Sequence, residues 1–327
     1  MASLYAKRPS GQLLLFFFYG LFAFMSTTTS TTLRQAIHAT ADQLTAAQVA
    51  FGHGTDNALD EAAWLVLWVL KLPLDSDFNT EIGEQLLDAD QSQQLAALVQ
   101  RRIEERKPAA YLTQEAWLYG VPFYIDERSI VPRSLIAGPI VDGTLDYWLN
   151  ERTHKVLDMC TGNGSLAILA ALAWPDVQVD ALDISSDALA VARINVDKHA
   201  LSERVQLIKS DGLQAIEPEQ RYDLILCNPP YVNSQSMQEL PEEFKAEPSL
   251  ALAGGSDGMD FIRPLLQALP DRMSDEGILV LEIGHERPYF EIAFPNLNPI
   301  WLETPGGHDA VLVLTKKELA NALFDYN

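Results

Sequence analysis

The sequence predicts an α/β protein: a doubly wound, mainly parallel, Rossmann-like sheet preceded by a small N-terminal helical domain. Three observations predict it. From Lys155 onward, strand-like segments alternate with helical ones. The first of those strands runs into Gly162-Asn163-Gly164 at a strand-to-helix turn. Before Lys107, apolar residues recur at helical spacing. The 327 residues suffice for about two domains at roughly 150 residues each.

Composition narrows the function classes. Hydrophobic residues make up 48%, enough for a full core, and disorder over most of the length is excluded. The formal net charge is -22, which argues against a general binder of DNA or RNA, since phosphate binding needs clustered cations. Neither direct DNA binding nor a membrane partner is expected. The 2 cysteines, Cys160 and Cys227, exclude a disulfide scaffold and a Cys-rich zinc site. The 6 histidines show no metal-ligand spacing, and no metal is expected.

Residues 1–25 form an apolar extension. Lys7 and Arg8 precede an apolar run from Leu13 to Met25, the charge order of a secretory signal, but no small-x-small cleavage site follows. The run is short for a span of roughly 20 residues. Three readings stay open: a start at Met25, a signal or anchor, and a buried amphipathic extension. The reduced cysteines and nucleotide-type fold of the remainder favour the cytoplasm.

Residues 26–107 read as a helical substrate-recognition domain. Leu33, Ile37, Leu44 and Val49 recur at helical spacing, and Ala58 to Leu72 is apolar on more than one side, as in a buried helix. Leu86 to Ile103 adds an amphipathic stretch that Pro108 stops. Residues 108–133 turn aromatic and β-branched. They predict a β-hairpin linker with its turn at Gly120-Val121-Pro122. Residues 134–318 form the second domain and 319–327 a tail. Ser134 to Asn150 reads as helix. Strands are expected at Lys155–Met159, Val177–Leu182, Val205–Ile208, Asp223–Cys227, Ile278–Ile283, Ile300–Leu302 and Ala310–Leu314.

The ligand signals lie in this second domain. Asp158, Cys160, Thr161, Gly162, Asn163 and Gly164 form the glycine loop, where a ligand can approach the backbone closely. Strand two ends at Asp183, about 20 residues further on, where an acid can accept both hydroxyls of a ribose. Strand three is followed by Asp211-Gly212, suited to an adenine edge. Together they point to an adenosine ligand. Asp158 beside the loop would repel a pyrophosphate and attract the cationic amino-acid end of S-adenosylmethionine, which favours a methyl donor over NAD.

Strand four ends in Asn228-Pro229-Pro230-Tyr231. The prolines end the strand and stiffen the chain beyond it. The Asn228 carbonyl and the free backbone carbonyls can accept hydrogen bonds from an NH2 group, and Tyr231 can stack on a planar one. The set suits a planar, poorly nucleophilic nitrogen, an amide or an aryl amine, activated by placement and electrostatics.

Asp158–Gly164, Asp183 and Asn228-Pro229-Pro230-Tyr231 together resemble the class I S-adenosylmethionine-dependent methyltransferases of the N5-glutamine (HemK-like) group. The resemblance runs from roughly Leu33 to Thr315. It implies a class I methyltransferase Rossmann-like sheet, parallel except for a reversed strand at Ala310–Leu314. It also implies S-adenosyl-L-methionine as methyl donor and a glutamine side-chain nitrogen as acceptor. Asn-Pro-Pro-Tyr alone is shared with adenine-N6 DNA methyltransferases. Pro132-Arg133-Ser134-Leu135-Ile136-Ala137, Glu115-Ala116-Trp117, Asp126-Glu127-Arg128 and Leu240 to Pro248 resemble the branch acting on large-subunit ribosomal protein number three. Release-factor methyltransferases instead carry Pro-Arg-Pro-Glu-Thr-Glu after the hairpin. Leu135, Gly138 and Asn163 depart from the branch pattern, where Pro, a nearby Glu and Ser or Thr are usual. These departures bear on the substrate edge and leave donor binding intact. The alternatives are a release-factor methyltransferase, a DNA adenine methyltransferase and a non-catalytic ribosome-assembly factor. Cys160 and Cys227 read as packing residues, and His308 as a turn residue.

Overall fold

A computed structural model describes residues 31–324. The extension at residues 1–25 and the last residues of the tail lie outside the described residues. Among the described residues, no helix is long and apolar enough to cross a membrane.

The helical part begins with α1 (Leu33–Ala46), started by a capping box in which the Thr32 and Gln35 side chains and backbone N–H groups bond reciprocally. Leu33, Ile37 and Leu44 form its buried stripe. α2 (Ala58–Leu70) is capped by Asn57, and Trp64, Leu65, Val66 and Leu67 are all buried, so it is enclosed as its sequence predicts. α3 (Ala89–Glu104) starts with a second capping box, Asp88 with Gln91, and packs on α2. A short α4 (Ala109–Thr113) leads into the hairpin.

Strands β1 (Glu115–Leu118) and β2 (Val121–Tyr124) pair antiparallel, with Leu118 opposite Val121. The turn is therefore Tyr119-Gly120, one step earlier than the sequence suggested. Both residues have positive φ, 48° and 78°, which suits the twist of a two-residue hairpin. Val121 and Pro122 belong to the strand, and a two-stranded ribbon has no third strand to need the missing Pro122 N–H. The hairpin is clamped to the sheet-forming part. The Tyr124 N–H donates to Asn195 Oδ1 at 2.7 Å, and Asn195 Nδ2 donates to the carbonyls of Tyr124 and Asn163 at 3.0 and 2.9 Å.

The helix expected over Ser134–Asn150 is broken. α5 covers only Ala137–Val141, and a 3-10 turn follows at Thr144–Tyr147. Gly143, at φ 80°, takes the chain out of helical geometry between them.

Seven strands then form one sheet: β3 (Lys155–Met159), β4 (Gln178–Asp183), β5 (Val205–Lys209), β6 (Tyr222–Cys227), β7 (Met273–Glu282), β8 (Ile300–Thr304) and β9 (Gly307–Thr315). Their order is β5-β4-β3-β6-β7-β9-β8. All are parallel except β9, which is antiparallel to both neighbours, as the family resemblance implied. Crossover helices α6 (Ser165–Ala173) and α7 (Ser186–Lys198) follow β3 and β4. Alternate residues face opposite layers. Val156, Leu224 and Val280 join one core, while Leu157, Ile225 and Leu279 join another. After β6 come α8 (Ser234–Glu239), α9 (Glu242–Lys245) and α10 (Ile262–Ala268), then α11 (Arg287–Ala293) after β7 and α12 (Lys316–Phe324) after β9. Because β3 lies between β4 and β6, the chain direction switches there. The carboxyl ends of β3, β4 and β6 open the crevice in which such sheets bind ligands.

Candidate active site

The crevice is a cavity lined by the ends of four strands and by segments before and after them. Cys160 and Gly162 follow β3, Asp183 to Ser185 follow β4, Asp211 and Gly212 follow β5, and Asn228 and Pro230 follow β6. These are the strand ends at which the sequence placed its ligand signals. A wider cleft of about 850 Å³ lies elsewhere, against Trp64, Trp68 and Trp117, and none of its lining residues comes from the seven-stranded sheet.

The loop after β3 has a built shape. Cys160, Gly162 and Gly164 all have positive φ, 58°, 56° and 83°. Thr161 N–H donates to the Leu182 carbonyl at 2.8 Å. Asn163 Nδ2 donates to the Ile130 carbonyl at 2.7 Å, while its Oδ1 accepts from Ser165 N–H at 3.0 Å at the start of α6. Thr161, Asn163 and Gly164 thus shape the loop and do not line the cavity.

Asp158 requires a correction. It does not reach the ligand crevice. It is 1% exposed, beneath the loop, where its carboxylate accepts from the Thr161 hydroxyl and from Ala167 N–H. Burial pushes its pKa up to about 7. Its place is to hold the loop on α6, and an attraction to a cationic ligand cannot act through direct contact.

Asp183 has one backbone donor on each oxygen, Ser185 N–H at 2.8 Å on Oδ1 and Gly162 N–H at 2.9 Å on Oδ2. These bonds fix the carboxylate and leave each oxygen with further acceptor capacity. Burial raises its pKa against those bonds. Asp211 lies exposed at the rim, beside a turn in which Ser210 Oγ donates to the Gly212 carbonyl at 2.7 Å.

The Asn228 side chain is half-buried at the cavity wall and makes no hydrogen bond to another described residue. Pro230 lines the same wall, whereas Pro229 is buried and Tyr231, half-buried, is not part of the lining. The Tyr231 hydroxyl donates to Glu282 Oε1 at 3.1 Å. Three glycines make room for this residue. A Cβ at Gly254 would fall 2.7 Å from the Tyr231 backbone, one at Gly258 2.3 Å from its carbonyl oxygen, and one at Gly284 2.6 Å from its ring. The chain after Tyr231 is laced to the segment beyond the cavity wall. Val232 N–H donates to the Leu252 carbonyl, Gly254 N–H to the Val232 carbonyl and Ser234 N–H to the Gly255 carbonyl, at 2.8, 2.9 and 2.8 Å.

Residues 144–256 match the methyltransferase small domain family. Ribosomal protein uL3 glutamine methyltransferase of Bordetella pertussis is 51% identical over 290 residues, 88% of this chain and 96% of that protein. The chain belongs to the ribosomal protein uL3 glutamine methyltransferase family. The enzymes of that name from Burkholderia pseudomallei and Neisseria meningitidis serogroup B are 48% and 46% identical, each over 88% of this chain and 95% and 94% of their own lengths.

Sequence reasoning missed the buried carboxylates that brace the site of this methyltransferase. Glu282 ends β7 and is buried. Besides the Tyr231 hydroxyl, it accepts from Ser134 Oγ at 2.6 Å and Leu135 N–H at 2.9 Å. Burial raises its pKa against those bonds. The sequence signal was an acid closing the apolar run Ile278–Leu281. Glu247 takes a two-pronged ion pair from Arg133, at 2.5 and 2.6 Å, and accepts from Val131 N–H at 3.0 Å. Burial opposes its charge, yet Arg133 and His53 outweigh it and pull the carboxyl down to about 2. Deeper still, Arg102 of α3 is 0% exposed. It bonds Glu61 Oε1 at 2.7 Å, Glu243 Oε1 at 3.2 Å and the Ala50 carbonyl at 2.7 Å. This cluster joins the helical part to α9, and Pro248, Leu250 and Ala251 just beyond it line the cavity. Cys160 and Cys227 lie side by side as free thiols, burial raising the Cys227 pKa further. His308 is exposed near Glu303, well outside the cavity lining.

Proposed function

We propose that this chain transfers a methyl group from S-adenosyl-L-methionine to the side-chain amide nitrogen of a glutamine in ribosomal protein uL3. The observation that carries the reading is the Asn228 side chain. It is a neutral amide with no intramolecular partner, held on the cavity wall that also holds Asp183 and Gly162. On that wall the amide is free to bond a ligand in the cavity.

The residues fit an adenosyl donor. Asp183, oriented by two backbone N–H groups, would accept the ribose hydroxyls, and Asp211 with Gly212 would border the adenine. Gly162 presents backbone with no Cβ in the way. The donor supplies an electrophilic methyl on a sulfonium sulfur. Everything else is positioning by the chain. Asn228 Oδ1 and a backbone carbonyl of the Pro229-Pro230 pair would accept from the acceptor NH2 group, aiming the nitrogen lone pair and raising its electron density. Tyr231, fixed by Glu282 and the three glycines, sets the shape of the wall behind. No residue of Asn228-Pro229-Pro230-Tyr231 has a basic side chain, so this set orients the amide and does not remove its proton first.

The test is methylation in vitro with isotopically labelled donor, offering uL3 and a peptide chain release factor as separate acceptors. A single methyl on one uL3 glutamine, located by mass spectrometry, is the expected product. Preferential labelling of the release factor, or of an adenine in DNA, would overturn the reading.

A further inference from the structure

One buried carboxylate at the site joins residues that lie far apart in the chain. Glu282 ends β7, and Leu281 before it pairs with Cys227 of β6, so Glu282 comes level with Asn228 at the start of Asn228-Pro229-Pro230-Tyr231. It is buried, yet among the described residues no cation forms an ion pair with it, and Arg133 pairs with Glu247 instead. Its hydrogen bonds come from neutral donors. Ser134 Oγ donates to Oε2 at 2.6 Å and Leu135 N–H donates to the same oxygen at 2.9 Å, while Oε1 accepts from the Tyr231 hydroxyl at 3.1 Å. The Ser134 bond has the short length of a hydroxyl donating to a charged oxygen.

A carboxylate is planar, so the bonds on one oxygen decide where the other points. Ser134 and Leu135 hold Oε2, and Oε1 is thereby aimed at Tyr231. Ser134 is itself buried, and its Oγ also accepts from Ile136 N–H at 3.3 Å, so its hydroxyl is held in one place. Among the described residues the Tyr231 hydroxyl has no partner but Glu282. Gly254, Gly258 and Gly284 leave room for Tyr231 but give its hydroxyl nothing to bond. Pro230 lines the cavity and Tyr231 does not, so the ring stands at the border of the crevice. With the donor filling the crevice, the glutamine reaches Asn228 along that border.

We propose that Ser134 is a positioning residue for the methyl acceptor: by orienting Glu282 it fixes the Tyr231 ring against which the glutamine amide is held. This rests on the acceptor reading above. It places a requirement for transfer in a residue that does not line the cavity and lies before the first strand of the sheet.

The test is single-turnover methyl transfer to uL3 by the full chain, with calorimetric binding of S-adenosylhomocysteine measured beside it. Ser134→Ala should slow transfer about tenfold, the effect of losing one hydrogen bond to a charged group, and should bind S-adenosylhomocysteine as the parent does. Ser134→Cys keeps the volume but donates weakly, so it should be slow as well without a packing defect. In a Tyr231→Phe background the change of Ser134 to Ala should slow transfer no further. The acid limb of the pH–rate profile should move to higher pH in Ser134→Ala, because a carboxylate that loses a donor is protonated more readily. Parent-like rates in the Ala and Cys variants would overturn the proposal. So would an equal slowing in the Tyr231→Phe background, an unmoved acid limb, or a loss of S-adenosylhomocysteine affinity as large as the loss of rate. Absence of transfer to uL3 by the parent itself would instead overturn the acceptor reading.

Discussion

Replacing Arg102 by Met tests how firmly the helical part is tied to the catalytic part. Met keeps the aliphatic stem, so packing changes little and the charge is what disappears. Two buried carboxylates then lose a partner, but unequally. Glu243 keeps Arg106 Nε at 2.9 Å and Ala50 N–H at 3.0 Å. Glu61 keeps only the Thr55 hydroxyl at 3.4 Å. Breaking a buried pair costs about 3–5 kcal/mol. With one of the two acids still paired, the lower end, about 3 kcal/mol, is expected. That is a large share of a typical stability of about 5–15 kcal/mol. Burial already raises the Glu61 pKa, with Arg102 opposing it. Without Arg102 the folded-state value climbs further above the unfolded one. An acid so shifted destabilises as pH rises, so the deficit should be larger near about pH 7.5 than near about pH 5. Urea unfolding of parent and variant at both pH values measures this, and Arg102→Met combined with Glu61→Gln should recover much of the loss. A deficit below about 1 kcal/mol, or one equal at both pH values, would refute the reasoning.

Three further outcomes are expected. Asn228→Ala should slow single-turnover methyl transfer about a hundredfold or more at saturating donor while changing donor affinity less, and near-normal turnover would pass its role to the backbone carbonyls. Asp183→Ala should weaken donor binding by about 1.5–3 kcal/mol in calorimetry, and unchanged affinity would remove Asp183 from the site. The folded-state pKa of Asp158 is raised to about 7, so this group erodes stability as pH rises from the unfolded value near about 4 through about 7. Asp158→Asn should flatten the urea midpoint across that window, which parallel titration of parent and variant would check.

The strands were legible because their signals are local. Apolar runs ending in glycine, acid or proline marked β3, β4 and β6 to within a residue or so, and alternation with helices implied the parallel sheet. The hairpin turn was misplaced because Pro122 reads as a turn residue, although a two-stranded ribbon accepts it. The helix over Ser134–Asn150 was overextended because Gly143 was not taken as a stop. At the site, Asp183, Gly162 and Asn228 were named from their positions at strand ends, and all three line one cavity. Asp158 was misassigned because closeness in sequence does not reveal which side of a loop a side chain takes. Glu282 and Glu247 were missed for a related reason. Their partners are remote in sequence: Glu282 meets Ser134 and Tyr231, and Glu247 meets Arg133. No periodicity within one element reports such pairings.

The lacing of Val232 and Ser234 to Leu252, Gly254 and Gly255 closes residues 234–251 into an excursion whose two ends meet beside Tyr231. A chain that leaves and returns at one point can change length without moving its base. Doubling a flexible loop costs only about 0.6 kcal/mol in closure entropy. Residues added between α8 and α9 would therefore alter the outline of this face while Asn228 stays at the end of β6. The clasp thus separates the length of the excursion from the position of Asn228.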